Sequence, residues 1–273
     1  MTRHLFLGLA VVLASNLSAS AQPKDPPKKF TNGLGMEFAL VPQGKSWLGG
    51  GLGKEGTKEV NFTQDFYLGV YAVTQDEWQK IMGKNPSHFS RGGKGEDAVK
   101  NIADADLRRF PVENITWDES KEFVKLLNEK VKKDARDAGW EYRLPTEQQW
   151  EYACRDGPMT DKADSAFDYY FDKPSKTMSR EQANFGAILK RTCKVGSYPP
   201  NRLGLHDMHG NVTEWCEDPY WREEVGFPNR VGRGGSWFAA ADGCRAWDRY
   251  GCMPSFRASL QGFRLARVPS TGK

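Results

Sequence analysis

Long apolar runs are scarce in this chain. The one at the start, Leu5 to Leu13, is soon interrupted by Ser15, Asn16 and Ser18. A bilayer crossing needs roughly 18 or more apolar residues, and no later stretch has that length either. With Thr2-Arg3-His4 before it and Ala19-Ser20-Ala21 after it, the run has the form of a cleavable secretory signal over residues 1–21. An excess of one charge is also missing. The net charge is +4, which loss of Arg3 would lower by one, and basic residues alternate with acidic ones. This argues against a nucleic-acid partner. Cysteines are few, at 154, 193, 216, 244 and 252. In an exported chain they can form disulfides, but an odd number leaves at least one without an intramolecular partner. Internal repeats are absent.

What the chain has instead is glycine, proline and tryptophan, at 28, 15 and nine residues, with only 38% hydrophobic residues. That composition favours irregular segments pinned by aromatic anchors. Residues 22–31, with Pro23, Pro26 and Pro27 among charges, offer little to bury and are expected to be a flexible leader. Residues 32–268 are then one domain with one core. Three helices are announced by capping boxes, Thr74-Gln-Asp-Glu77, Thr116-Trp-Asp-Glu119 and Thr146-Glu-Gln-Gln149. Behind them run apolar stripes at helical spacing: Trp78, Ile81 and Met82; Phe123, Leu126, Leu127 and Val131; Trp150, Ala153 and Cys154. The third helix should end near Arg155-Asp-Gly157. Strands are expected at Phe38 to Pro42, Phe66 to Val73 and Gly262 to Val268. Between the third helix and the last strand, turn signals outnumber periodic segments, and so long an irregular stretch usually carries function or a fixed ligand. The class predicted is α+β.

Six blocks carry a resemblance: Phe66-Tyr-Leu-Gly-Val-Tyr-Ala-Val-Thr-Gln-Asp-Glu-Trp78, Pro111-Val-Glu-Asn-Ile-Thr-Trp117, Tyr142-Arg-Leu-Pro-Thr-Glu-Gln-Gln-Trp-Glu-Tyr152, Gly204-Leu-His-Asp-Met-His-Gly-Asn-Val-Thr-Glu-Trp215, Arg233-Gly-Gly-Ser-Trp237 and Gly262-Phe-Arg264. In this order, over residues 32–268, they make the chain resemble the formylglycine-generating, sulfatase-modifying-factor family as a divergent member. The resemblance implies a loop-rich variant of the C-type-lectin fold.

In the fourth block, Asp207 and Glu214 flank Gly210 and Val212 in a turn that can present carboxylate and carbonyl oxygens together, ligands suited to calcium. The resemblance implies that the side chains of Asp207 and Glu214 and the carbonyls of Gly210 and Val212 form a calcium site. A capped surface turn is the alternative. The resemblance also implies the family's first calcium site, opening with Asn184 and Phe185, although no carboxylate follows between Gly186 and Val195. His206 and His209 are spaced for a transition metal but lack a third ligand, so they read more readily as turn residues. Trp117, Trp150, Trp215 and Trp237 read as core anchors rather than a ligand cage.

The family resembled uses two cysteine thiolates after the Gly-Gly-Ser motif to hold copper(I) for oxidation of a substrate cysteine. Counting from Ser236, the first position is Ala239 and the second Cys244, so one sulfur is replaced by a methyl group. Ser236 and Cys244 remain the candidate catalytic residues. Cys252 could supply the missing sulfur, pair with Cys244 in a disulfide, or leave Cys244 simply buried. Cys154 stands where some relatives have half a disulfide, but Leu265 occupies the partner position. Two functional readings follow. One is a binding or assembly module, or a different oxidase, with calcium retained and the copper site incomplete. The other is a formylglycine-generating oxidase. The expected partner is an exported protein or peptide, with a sulfatase among the candidates, in the periplasm or outside the cell.

Overall fold

A computed structural model describes residues 28–221 and 229–270. The expected signal, and the leader up to residue 27, lie outside the described residues. The leader reading fails at its end, because β1 (Lys29–Thr31) pairs with β2 (Glu37–Val41). Phe30 is the reason: it packs on Phe38 and Tyr67, with the Arg267 guanidinium 3.8 Å from its ring centroid.

The three capping boxes all form. They start α1 (Gln75–Met82), α3 (Trp117–Val131) and α4 (Glu147–Cys154), with a short α2 (Asp104–Leu107) between the first two. In each box the threonine hydroxyl accepts an N–H from the third helical residue, whose side chain accepts the threonine N–H in return. Helix α4 hands over to a turn at Arg155 and Gly157, as expected. One stripe residue is corrected. Leu126 is exposed, and Val124 takes its place beside Phe123, Leu127 and Val131. At 100° per residue Leu126 lies about 120° from the centre of that stripe, facing water.

Two sheets organise the rest. The first has the order β1, β2, β5 (Phe66–Gly69), β13 (Ala266–Pro269), β6 (Trp140–Arg143), antiparallel throughout. Both of its faces are covered, so its side chains divide by parity. Phe38 and Tyr67 point to a core with Trp78, Phe123, Phe263 and Trp215, while Ala39, Val41, Phe66 and Leu68 point to another with Trp150, Tyr152 and Tyr170. The second sheet has the order β11 (Arg249–Cys252), β10 (Asn229–Arg233), β9 (Thr213–Tyr220), β12 (Gln261–Gly262), with β12 parallel to β9. Two small hairpins, β3 (Gly44–Leu48) with β4 (Lys58–Phe62) and β7 (Tyr169–Tyr170) with β8 (Pro174–Ser175), complete the strands described.

Two expected strands are shorter than predicted, for one reason. Residues 70–73 and 263–265 still run alongside each other, Val73 N–H to Phe263 O and Gly69 N–H to Leu265 O. But the carbonyls of Gly69 and Val70 are occupied by the Arg264 side chain and the His206 N–H, so the regular ladder stops. Among the described residues no helix is long and apolar enough to cross a membrane.

Candidate functional site

The turn from Leu203 to Trp215 is built by side-chain caps and left-handed residues. Asn201 Oδ1 accepts the N–H groups of Leu203 and Leu205 while its amide donates to Ala153 O, fixing the turn to the end of α4. Asp207, Gly210 and Asn211 all have positive φ. Gly210 has to be glycine, since a Cβ there would sit 2.4 Å from Asn184 O. Three segments are stitched together here: Asn211 N–H donates to Asn184 O, Gly210 N–H to Gly234 O, and Trp237 N–H to Asn211 O. The fourth and fifth sequence blocks and Asn184 are therefore neighbours in space.

The calcium candidates differ in how free they are. Glu214 is fully buried and already committed: Arg264 binds it through Nε and Nη2 at 2.6 and 2.7 Å, and Trp150 Nε1 donates to it at 2.6 Å. A carboxylate neutralised by a buried guanidinium does not fit a calcium ligand, because a second cation would face Arg264. Asp207 is different. It is buried, its Oδ2 accepts the Gly196 N–H at 2.8 Å, and burial raises its pKa. Asn184 Oδ1 is buried with no hydrogen-bond partner among the described residues. Unlike Glu214, neither of these oxygens is hydrogen-bonded by a guanidinium, although the Arg264 charge also acts on Asp207. Among the described residues no group of three or more His, Cys, Asp or Glu could hold a metal.

The histidines are turn residues. His209 Nε2 accepts the Tyr170 N–H, which assigns the proton to Nδ1 and its bond to Cys244 O at 2.8 Å. Burial lowers its pKa to about 4, so it is neutral. His206 Nδ1 bonds Tyr198 O, and its ring lies against Tyr71. The tryptophans anchor the core: Trp150 and Trp215 are fully buried, while Trp117 and Trp237 donate to the carbonyls of Cys216 and Ser259.

Ser236 opens a cleft of about 370 Å³. Phe238, Ala239, Ala240, Tyr250, Phe256 and Leu260 give it a largely apolar lining, with Thr213 and Gln261 among the polar groups. Ala239 faces this space, but Cys244 does not line it. Its sulfur lies beneath Gly235, where an added Cβ would sit 2.5 Å from it. Cys244 is fully buried, and burial pushes its thiol up to about 12 against the opposing hydrogen bond from the Ser236 backbone. The thiol that does line the cleft is Cys252, half-buried on the same face of β11 as Tyr250. Burial raises its pKa as well. All five cysteines carry free thiols, including Cys154, which faces His209. The alternation of Tyr250 and Cys252 was the signal for their shared face. Nothing local announced that Phe238 and Phe256 would line the same space.

Known proteins can now be set beside this geometry. The domain family described as sulfatase-modifying factor enzyme 1-like matches residues 23–269. Chaperone protein LppX of Paenibacillus barcinonensis is 30% identical over 218 residues, 65% of this chain and 71% of that protein. From Bos taurus, Formylglycine-generating enzyme is 32% identical over 48% of this chain and 40% of its own length. Inactive C-alpha-formylglycine-generating enzyme 2, also of Bos taurus, is 28% identical over 58% of this chain and 50% of its own length. The match thus spans half or less of these two relatives. Among solved structures, Treponema denticola variable protein 1 superposes with a TM-score of 0.68 at 26% identity, covering 88% of this chain and 99% of that one. By its six ordered blocks, its α+β C-type-lectin-like architecture and the match across residues 23–269, this chain belongs to the sulfatase-modifying factor enzyme 1-like domain family.

Proposed function

We propose that the chain is a binding or assembly module that holds an apolar stretch of an exported polypeptide in the cleft beside Ser236, without copper dithiolate oxidation. The observation that carries this reading is the sulfur geometry: Ala239 faces the cleft where a thiolate is required, while the Cys244 sulfur lies under Gly235 with a raised pKa. A neutral thiol and a methyl group do not make the two-thiolate ligand set that copper(I) needs. The cleft offers apolar surface instead, with Phe238 62% exposed at its edge. A relative named a chaperone and another named inactive both agree with a role in binding rather than oxidation.

Two titrations test this. Reduced, metal-free protein titrated with copper(I), then assayed for oxygen-dependent conversion of a Cys-x-Pro-x-Arg peptide, should show neither tight two-thiolate binding nor turnover. Turnover that disappears in Cys244→Ser would restore the oxidase reading, with Cys252 or another group as second ligand. A labelled peptide with a central apolar residue should bind, and Phe238→Asp should weaken it by about tenfold, the scale of one buried aromatic contact. For calcium, two sites are proposed, one from Asp207 with the carbonyls of Gly210 and Val212 and one opening with Asn184 and Phe185; Glu214 joins the first only by giving up Arg264. Calcium should raise the melting temperature by mass action and lose that effect in Asp207→Ala. No shift, or an equal shift in the variant, rejects calcium at Asp207.

A further inference from the structure

Glu113, in the second sequence block, is a carboxylate in an unusual position. It is fully buried, its Oε1 accepts the Phe89 N–H at 2.8 Å, and among the described residues its Oε2 has no hydrogen-bond partner. It makes no ion pair among the described residues. The charged and titratable groups around it are engaged elsewhere. On the loop over it, the His88 ring packs on Phe89 and Arg91 pairs with Asp104. Beside it, Arg257 pairs with Glu119 and also binds Asn114 O, and Arg191 lies over the Phe110 ring. The loop at 85–95 rests on this one residue from two sides, since the Glu113 N–H also donates to Ser87 Oγ. Further ties come from Asn114 to Pro86 O and Gln75 to Phe89 O.

The same loop supports the cleft. Phe89 meets Trp237 edge to face at 5.5 Å, and Trp237 meets Phe238, the exposed aromatic at the cleft edge, at 5.6 Å. We propose that Glu113 makes the 85–95 loop a pH-responsive buttress: while the carboxyl is neutral the loop stays seated on Trp237, and ionisation favours its release. An ionised carboxylate without a cation is costly to keep out of water, and opening the loop is the local way to hydrate it. Burial, opposed by the Phe89 and His88 backbone donors, raises the Glu113 pKa from 4.5 to about 7. The sign follows from that direction. A carboxyl whose folded value is raised stabilises the closed state below the value of the hydrated group, and that stability is lost as pH rises from about 4.5 to about 7. The effect on ligand rests on the cleft reading; the loop movement does not.

Amide hydrogen exchange tests it without any ligand. After correction for intrinsic rates, protection of the Phe89 amide should fall by at least tenfold between about pH 5 and about pH 8, while the Trp150 amide in α4 keeps its protection. In Glu113→Gln, which has the shape of the neutral acid, the Phe89 amide should show no pH dependence. Protection at Phe89 that is flat with pH in the unaltered protein, or that falls equally in the variant, overturns the proposal. If the variant does not fold, the pH series on the unaltered protein decides alone. A labelled apolar peptide measured over the same range should bind several-fold more weakly at high pH; failure of the peptide to bind at any pH removes the cleft reading and leaves the exchange result to judge the loop.

Discussion

Cys252 and Cys244 are eight positions apart in sequence and differ in what surrounds them. Cys244 is sealed by Gly235 and the aromatic cluster of Tyr169 and Phe171, whereas Cys252 stands half-buried on the cleft. Alkylation of the native protein should therefore modify Cys252 first, with Cys154, Cys193, Cys216 and Cys244 reacting only on unfolding; mass spectrometry after a short iodoacetamide pulse reads the order. Modification of Cys244 at an equal rate would mean that its sulfur reaches the cleft. The Gly-Gly-Ser motif supplies a local ruler that puts Ala239 and Cys244 at the two positions where the resemblance expects sulfur. It could not say which remaining sulfur faces open space. That depends on the close approach of Gly235 to Cys244, which only glycine at positive φ allows. The same holds for Glu214: its type and position suggested an oxygen ligand, but its partner, Arg264, lies fifty residues away.

At the scale of elements, the helices were readable because capping and periodicity act within a few residues. Each of the three boxes predicted from Thr74, Thr116 and Thr146 is present with both reciprocal bonds. Thr116→Ala should lower stability by about 1 kcal/mol, measured by urea unfolding, with the fold retained. A loss within error would mean that tertiary packing of Phe123 and Leu127 holds α3 without its cap. Strands were harder. The hairpin of β3 and β4, the edge strand β6 and most of the second sheet are not legible in the sequence: β4 and β6 are only five and four residues long, and β3, β9 and β10 contain glycine or proline. Strand β9, with Pro219 near its end, and β10, which slips register between Arg230 and Gly232, are held mainly by each other and by their neighbours. The 70–73 and 263–265 segments failed as regular strands for the opposite reason: their sequence suits a strand, but a side chain from one of them takes the carbonyls of the other.

Across the whole molecule, buried arginines join layers that the chain visits at distant times. Arg264 ties Glu214 to the carbonyls of Gly69 and His206, and Arg233 and Arg155 share Glu151. For Glu151, burial would raise the pKa, but the two guanidinium groups reverse this and hold the carboxyl below its ordinary range. Removing one member of such a pair leaves a buried charge. Arg264→Met should therefore cost about 3–5 kcal/mol, while Arg264→Met combined with Glu214→Leu should cost less, as read by denaturant unfolding of both variants. A double variant as unstable as the sum of its singles would show that the pair is not coupled. The sequence by itself determined the family, the α+β class and the start of each main helix, since motifs, caps and periodicity are written in neighbouring residues. Only the tertiary structure decided that Lys29–Thr31 joins the sheet, that Glu214 serves Arg264, that Cys252 rather than Cys244 faces the cleft, and that Glu113 makes no ion pair among the described residues, because each depends on burial and on partners brought together by folding.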